Sequence, residues 1–173
     1  MTEGPIVAVV GVGNPVMGDD GLGEHVIRRL QEEGLPSGME ATHAGTTAFF
    51  ALEAMSGADY AIIVDAVETG ESPPGSVHRY RYREGSFDGS PPEVLMHDFS
   101  FSTALRAGTD VYDIPEELLV IGVEPAATDP GLDLSDPVEN SVPAVIEEIY
   151  DEVETVSVPL SRRRTEPTAG SEP

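Results

Sequence analysis

Residues 5–12 have the sequence Pro-Ile-Val-Ala-Val-Val-Gly-Val, an apolar run rich in β-branched side chains. Runs of this kind are typical of strands that are buried on both faces of a sheet. A glycine- and acid-rich loop follows at residues 13–23, and apolar residues at helical spacing follow at residues 22–33. The chain therefore opens with a predicted β-strand, a tight loop and an α-helix.

The same alternation of strands and helices continues along the chain. Further strands are predicted at 39–43, 60–64, 76–82 and 118–123, and further helices at 46–55, 99–107 and 137–154. Alternating polar and apolar residues mark the 76–82 strand as half-exposed at a sheet edge. The pattern predicts an α/β fold, a three-layer sandwich with a mainly parallel sheet and one antiparallel edge strand. We expect one α/β domain over residues 1–154 and a disordered tail over residues 155–173.

The composition excludes several kinds of chemistry. All nine basic residues are arginines, so a P-loop lysine, a Schiff-base lysine and a lysine general base are excluded. The chain contains no cysteine, which excludes thiol catalysis, disulfides, iron–sulfur clusters and cysteine zinc sites.

The charge is strongly negative. The 32 acidic residues leave a net charge of −23, which argues against a nucleic acid as partner because phosphates are repelled. A disordered acidic chain is one interpretation, but regular apolar runs disfavour it. We favour a folded protein adapted to high salt, where screening makes this self-repulsion tolerable.

No apolar segment approaches membrane-spanning length, and the first residues carry no basic region. We therefore expect a cytoplasmic protein with no membrane partner.

Acidic residues follow two of the predicted strands. Asp19 and Asp20 lie in the loop after the first strand, and Asp65 ends the third. If the strand order is 2-1-3, these carboxylates meet at the edge where ligands bind in such folds. His97 precedes a predicted helix, and we expect it to close over the same edge. Two carboxylates and an imidazole are suitable ligands for a divalent metal, and two close carboxylates favour a cation between them.

Structural roles are the alternative for the same residues. Asp19 or Asp20 is a candidate N-cap of the first helix, with Gly34 as its C-cap, and Asp65 is a candidate turn residue. For His25, His43 and His78 we expect structural roles only.

Residues 11–23 resemble the glycine- and acid-rich signature of the hydrogenase maturation endopeptidases. Further segments in the family's order are similar to its other motifs. They are Ala44-Gly45-Thr46, Ile62 to Ala66, Met96-His97-Asp98, Val120 to Pro125 and Gly131 to Ser135.

The resemblance implies an α/β protease of the phosphorylase/hydrolase-like fold that removes the C-terminal peptide of a nickel-iron hydrogenase large-subunit precursor after nickel insertion. Asp20, Asp65 and His97 correspond to the family's metal-contacting residues, and we predict that they are also catalytic. Nickel is expected as the metal recognised in the substrate, although other divalent metals can occupy such ligands. The free protein is expected to be a monomer.

Two other functions stay open. Paired acids after the first strand and an aspartate after the third also describe a phosphoacceptor receiver domain, although that class needs a lysine that this chain lacks. The second is a metal-binding or interaction protein of the same fold without protease activity. It rests on His43, where the family often has aspartate, and on Ala44, where it has glycine.

Overall fold

The computed structural model describes residues 4–83, 85–88 and 101–165, which form a six-stranded sheet with helices on both faces. The strands are β1 (Val7–Gly11), β2 (Met39–His43), β3 (Tyr60–Ala66), β4 (Val77–Arg83), β5 (Ser86–Phe87) and β6 (Glu117–Val123). The helices are α1 (Leu22–Glu33), α2 (Ala48–Met55), α3 (Phe101–Gly108) and α4 (Asp136–Thr165), and a 3-10 turn at Gly18–Gly21 precedes α1.

The strand order is β2-β1-β3-β6-β4-β5. The first four strands in this order run parallel, and β4 runs antiparallel to β6 along its whole length. The expected mainly parallel sheet with an antiparallel edge is confirmed. The short β5 covers only one end of β4, where Tyr82 pairs with Phe87 and Arg83 with Ser86.

Strands β1, β3 and β6 each contribute to two cores because successive side chains point to opposite faces, whereas β2 buries only one face and exposes Glu40 and Thr42 on the other. On one face, Val7, Val9 and Ile62 pack with apolar residues of α1 and α4. On the other face, Ala8 and Ile63 pack with residues of α2 and α3. The three-layer prediction is therefore confirmed, and the uniformly apolar strands are explained by burial on both sides.

Helix α4 extends further than its sequence pattern indicates. The predicted tail from residue 155 is wrong for residues 155–165, which continue the helix. Val156 and Leu160 pack against the core of the α1–α4 face, so leaving the helix would expose apolar surface. Residues 166–173 lie outside the described part of the chain.

Among the described helices, none is both long enough and apolar enough to cross a membrane.

Candidate active site

The strands β1 and β3, which the predicted site residues Asp20 and Asp65 follow or end, are neighbours, as expected for a 2-1-3 strand order. β1 pairs in parallel with both β2 and β3, so their carboxyl ends lie at one edge of the sheet. Asp20 reaches this edge in the 3-10 turn after β1. Asp65 reaches it as the next-to-last residue of β3, opposite Gly122 of β6, one position inside the strand that it was predicted to end.

Both carboxylates are buried, with Asp20 6% and Asp65 4% exposed. Oδ2 of Asp20 accepts a hydrogen bond of 2.9 Å from the backbone N–H of Asn14. Burial raises the pKa of Asp65 well above its ordinary value, and the nearby charge of Asp20 raises it further. A hydrogen bond from the backbone N–H of Ala66 opposes this shift only in part. The two acids are therefore close enough to interact electrostatically in a water-poor site.

Glycines allow the close packing that places Asp20. Gly13 has a φ of +120°, and a Cβ there would collide with the backbone oxygen of Asp20. Gly11 and Gly23 are also in close contact, because a Cβ at Gly11 would lie 2.5 Å from the carbonyl oxygen of Gly23. Side chains at these positions would push the turn away from β1.

The third predicted site residue, His97, lies outside the described residues. Within residues 4–83, 85–88 and 101–165, no three His, Asp or Glu side chains are grouped closely enough to hold a metal ion. The structure thus brings together Asp20 and Asp65, and the place of His97 stays a prediction.

Asp19 has a different role from the one predicted. The N-cap of α1 is Gly21, without a side-chain capping hydrogen bond, so capping by Asp19 or Asp20 is wrong. Oδ2 of Asp19 instead accepts hydrogen bonds from the N–H groups of Ala126 and Ala127 at 2.8 and 2.9 Å. Ser135 donates its N–H to Oδ1 at 2.7 Å and its hydroxyl to Oδ2 at 2.8 Å. These donors are remote in sequence, so the local helix-start pattern did not indicate them.

These hydrogen bonds keep Asp19 ionised inside the protein. The side chain is completely buried, and burial alone would raise its pKa. The hydrogen bonds from Ala127, Ser135 and Ala126 outweigh that effect, so the pKa of Asp19 is lowered.

Glu124 is a fourth buried acid at this edge and was not predicted as a site residue from the sequence. It follows β6 directly, and it binds the segment between β3 and β4. Oε1 accepts hydrogen bonds from the N–H groups of Thr69 at 3.1 Å and Gly70 at 2.9 Å, and Oε2 accepts one from the Thr69 hydroxyl at 2.8 Å. Its position directly after a buried parallel strand was a usable signal, the same one that selected Asp65.

The three described histidines each bind another protein group, as expected of structural residues. Nε2 of His43 lies 3.1 Å from the carbonyl oxygen of Gly13, and Nε2 of His25 lies 3.2 Å from that of Leu132. Nε2 of His78 lies 3.2 Å from Oε2 of Glu124. His43 therefore contacts the loop that carries Asp20.

Comparisons with known proteins agree with this architecture. The chain is similar to the hydrogenase expression/formation protein HupD of Thiocapsa roseopersicina, with 27% identity over 173 residues, 99% of this chain and 77% of the relative. It is 26% identical over 146 residues to the hydrogenase 2 maturation protease of Escherichia coli strain K12, covering 83% of this chain and 87% of the relative. Among solved structures, the hydrogenase maturating endopeptidase HybD from E. coli matches with a TM-score of 0.71 at 25% identity, covering 87% of this chain and 93% of that one.

A family model described as hydrogenase maturation protease matches residues 24–152. This span includes well over half of the chain and runs from α1, directly after the turn that holds Asp20, into α4. The family model and the structural comparison both identify hydrogenase maturation proteases, and the chain belongs to the hydrogenase maturation protease family.

Proposed function

We propose that this protein is an endopeptidase that removes the C-terminal peptide of a nickel-loaded nickel-iron hydrogenase large-subunit precursor. The observation that carries the proposal is the buried pair Asp20 and Asp65 at the carboxyl edge of the sheet, in a chain of this family. Ligands bind at this edge in open α/β sheets.

Nickel enters the proposal as part of the substrate. The anionic oxygens of Asp20 and Asp65 are suitable contacts for a divalent cation, and their mutual repulsion would be relieved by one. We assign a neutral imidazole contact to His97. Asp20, Asp65 and His97 would hold the metal, which would supply Lewis-acid chemistry, either polarising the scissile carbonyl or activating a water molecule.

The chain's own groups prepare this site before the substrate arrives. The Asn14 N–H holds one carboxylate oxygen of Asp20 in place, and the backbone of β3 holds Asp65 between two neighbouring strands. Rigid placement of this kind lowers the cost of orienting a scissile bond against the metal.

The direct test is to incubate the purified protein with nickel-loaded and with nickel-free precursor in molar KCl. We expect C-terminal cleavage of the nickel-loaded form alone, measured by intact-mass spectrometry. Equal cleavage of both forms, or cleavage of neither, would count against the proposal. Light scattering should show a monomer in the absence of precursor.

A metal-binding protein without protease activity is the second candidate, favoured by the contact between His43 and the Asp20 loop. Metal binding without cleavage of any precursor would support that function. The substitution His43→Asp, which gives the residue often found in the family, tests it further. If His43 has cost the protein its activity, this variant should gain cleavage.

A further inference from the structure

Asp19 connects two loops at the active-site edge. Its carboxylate accepts hydrogen bonds from three residues that lie more than a hundred positions away in the sequence: Ala126, Ala127 and Ser135. The side chain is fully buried, and all of these bonds are between 2.7 and 2.9 Å. Hydrogen bonds to a charged, desolvated acceptor are among the strongest in proteins.

Backbone hydrogen bonds reinforce the same connection. Asp19 donates its own N–H to the carbonyl oxygen of Ala127 at 2.9 Å. Gly18 donates to Gly131 at 3.0 Å, and Gly131 donates to Val16 at 2.9 Å, which makes an isolated parallel bridge between Met17 and Gly131. The turn at residues 16–21 and the loop at residues 126–135 therefore form one hydrogen-bonded unit.

Asp20 is attached to this unit and has little freedom to move. Its N–H donates to the carbonyl oxygen of Met17 at 3.2 Å, and its backbone oxygen is packed against Gly13. The direction of the Asp20 side chain thus depends on the path of the turn, and Asp19 holds that path.

We propose that Asp19 is a positioning residue. Its buried carboxylate fixes the path of the turn and so orients Asp20 toward Asp65, where the two acids together bind a divalent cation. This inference rests on the proposed function for the role of the cation. Asp19 itself makes no contact with metal or substrate in it. Residues that orient metal ligands typically change metal affinity or activity by about 10- to 100-fold when they are replaced.

The substitution Asp19→Asn tests the inference because it keeps the shape of the side chain. The amide of asparagine has one acceptor oxygen, and an NH2 group takes the place of the other carboxylate oxygen. That NH2 group then faces either the N–H groups of Ala126 and Ala127 or the N–H group of Ser135, and a hydrogen bond between two donors cannot form. We expect Ni²⁺ binding to the full-length chain, measured by isothermal titration calorimetry in molar KCl, to weaken by about tenfold or more. On nickel-loaded precursor, kcat should fall more than KM rises.

Ser135→Ala is the milder variant, and it serves if Asp19→Asn fails to fold. It removes the hydroxyl bond and keeps the backbone bond, so we expect a smaller loss of Ni²⁺ affinity in the same direction. Glu152→Gln is the matched control, because Glu152 is a buried, hydrogen-bonded acid far from this edge. It should lower stability and leave Ni²⁺ affinity unchanged.

Unchanged Ni²⁺ affinity in both Asp19→Asn and Ser135→Ala would overturn the inference, and so would a wild-type chain that binds no Ni²⁺. Equal weakening by Glu152→Gln would also overturn it, since general instability would then explain the effect. The proposed function fails in a different way. A wild-type chain that binds Ni²⁺ through Asp20, is weakened by Asp19→Asn and cleaves no precursor would support the positioning role and contradict the protease activity.

Discussion

Tyr60, at the start of β3, donates a hydrogen bond of 2.7 Å to Oε1 of Glu152 on α4. Arg81 of β4 donates to the same oxygen at 2.8 Å, and Arg79 donates to Oε2 at 3.0 Å. A buried acid thus ties the last helix to two strands of the sheet. This network lies near the amino end of β3, away from the active-site edge.

Glu152 should make stability depend on pH in the acid range. Burial alone would raise its pKa, but hydrogen bonds from Arg81 and Tyr60 and the charge of Arg79 outweigh this and hold the pKa below 4.5. A carboxyl whose pKa is lower in the folded state contributes stability above its unfolded-state pKa and loses it as the pH falls through the folded-state pKa. Glu152→Gln should therefore lower the free energy of unfolding by about 2 kcal/mol at neutral pH, with a difference that shrinks on acidification.

Urea denaturation of both chains from neutral to acidic pH measures this effect. Glu148→Gln is the control, because Glu148 lies one turn earlier on α4 and its ion pair with Arg79 is 3.9 Å long. A similar loss in both variants, or a loss in Glu152→Gln that does not vary with pH, would contradict the prediction.

Glu124 should control the order of the segment between β3 and β4. Glu124→Ala removes the carboxylate oxygens that accept hydrogen bonds from the N–H groups of Thr69 and Gly70. Amide hydrogen exchange at these two residues should become faster by about tenfold or more, since each lost bond to a charged carboxylate is worth about 1.5 kcal/mol or more. Glu124→Gln retains one acceptor oxygen and should give an intermediate rate. Unchanged exchange in Glu124→Ala would show that the backbone alone holds the segment.

The free energy of unfolding should rise with the salt concentration. The net charge of −23 on 173 residues produces self-repulsion that dilute buffer leaves unscreened. We expect the midpoint of urea denaturation to increase steadily from low to molar KCl. Sucrose at matched osmolality, which screens no charge, is the control. Full stability in dilute buffer would refute salt adaptation.

Replacement of the three predicted site residues should abolish precursor processing. Asp20→Ala, Asp65→Ala and His97→Ala each remove one proposed contact to the substrate's nickel. Because the buried Asp65 carboxylate is opposed by the charge of Asp20, its removal should not destabilise the fold. Cleavage assays together with circular dichroism measure both effects.

Asp151→Ala, which removes an exposed carboxylate on α4, is the control and should leave processing intact. Normal cleavage by any of the three site variants would remove that residue from the proposed site.

Local sequence patterns were sufficient for much of the fold. The predicted bounds of α1 and β2 agree with the structure, because helical apolar spacing and flanking glycines are local signals. The pattern failed at the end of α4, where prolines and polar residues predicted a tail. There the contacts of Val156 and Leu160 with the core outweigh weak helix propensity.

In the candidate site too, local sequence patterns did not predict which contacts individual residues make in the folded chain. The sequence alone determined which acids follow the parallel strands, and so which side chains can meet at the carboxyl edge of the sheet. The local pattern did not distinguish Asp19 from Asp20, which are adjacent and chemically identical, and only the resemblance to the family selected Asp20. Only the tertiary structure decided that Asp19 is enclosed by the N–H groups of a loop more than a hundred residues away, while the charge of Asp20 acts on the carboxyl group of Asp65. The physical reason is that a buried carboxylate takes its role from the donors and charges around it, and the folded chain supplies these from distant segments.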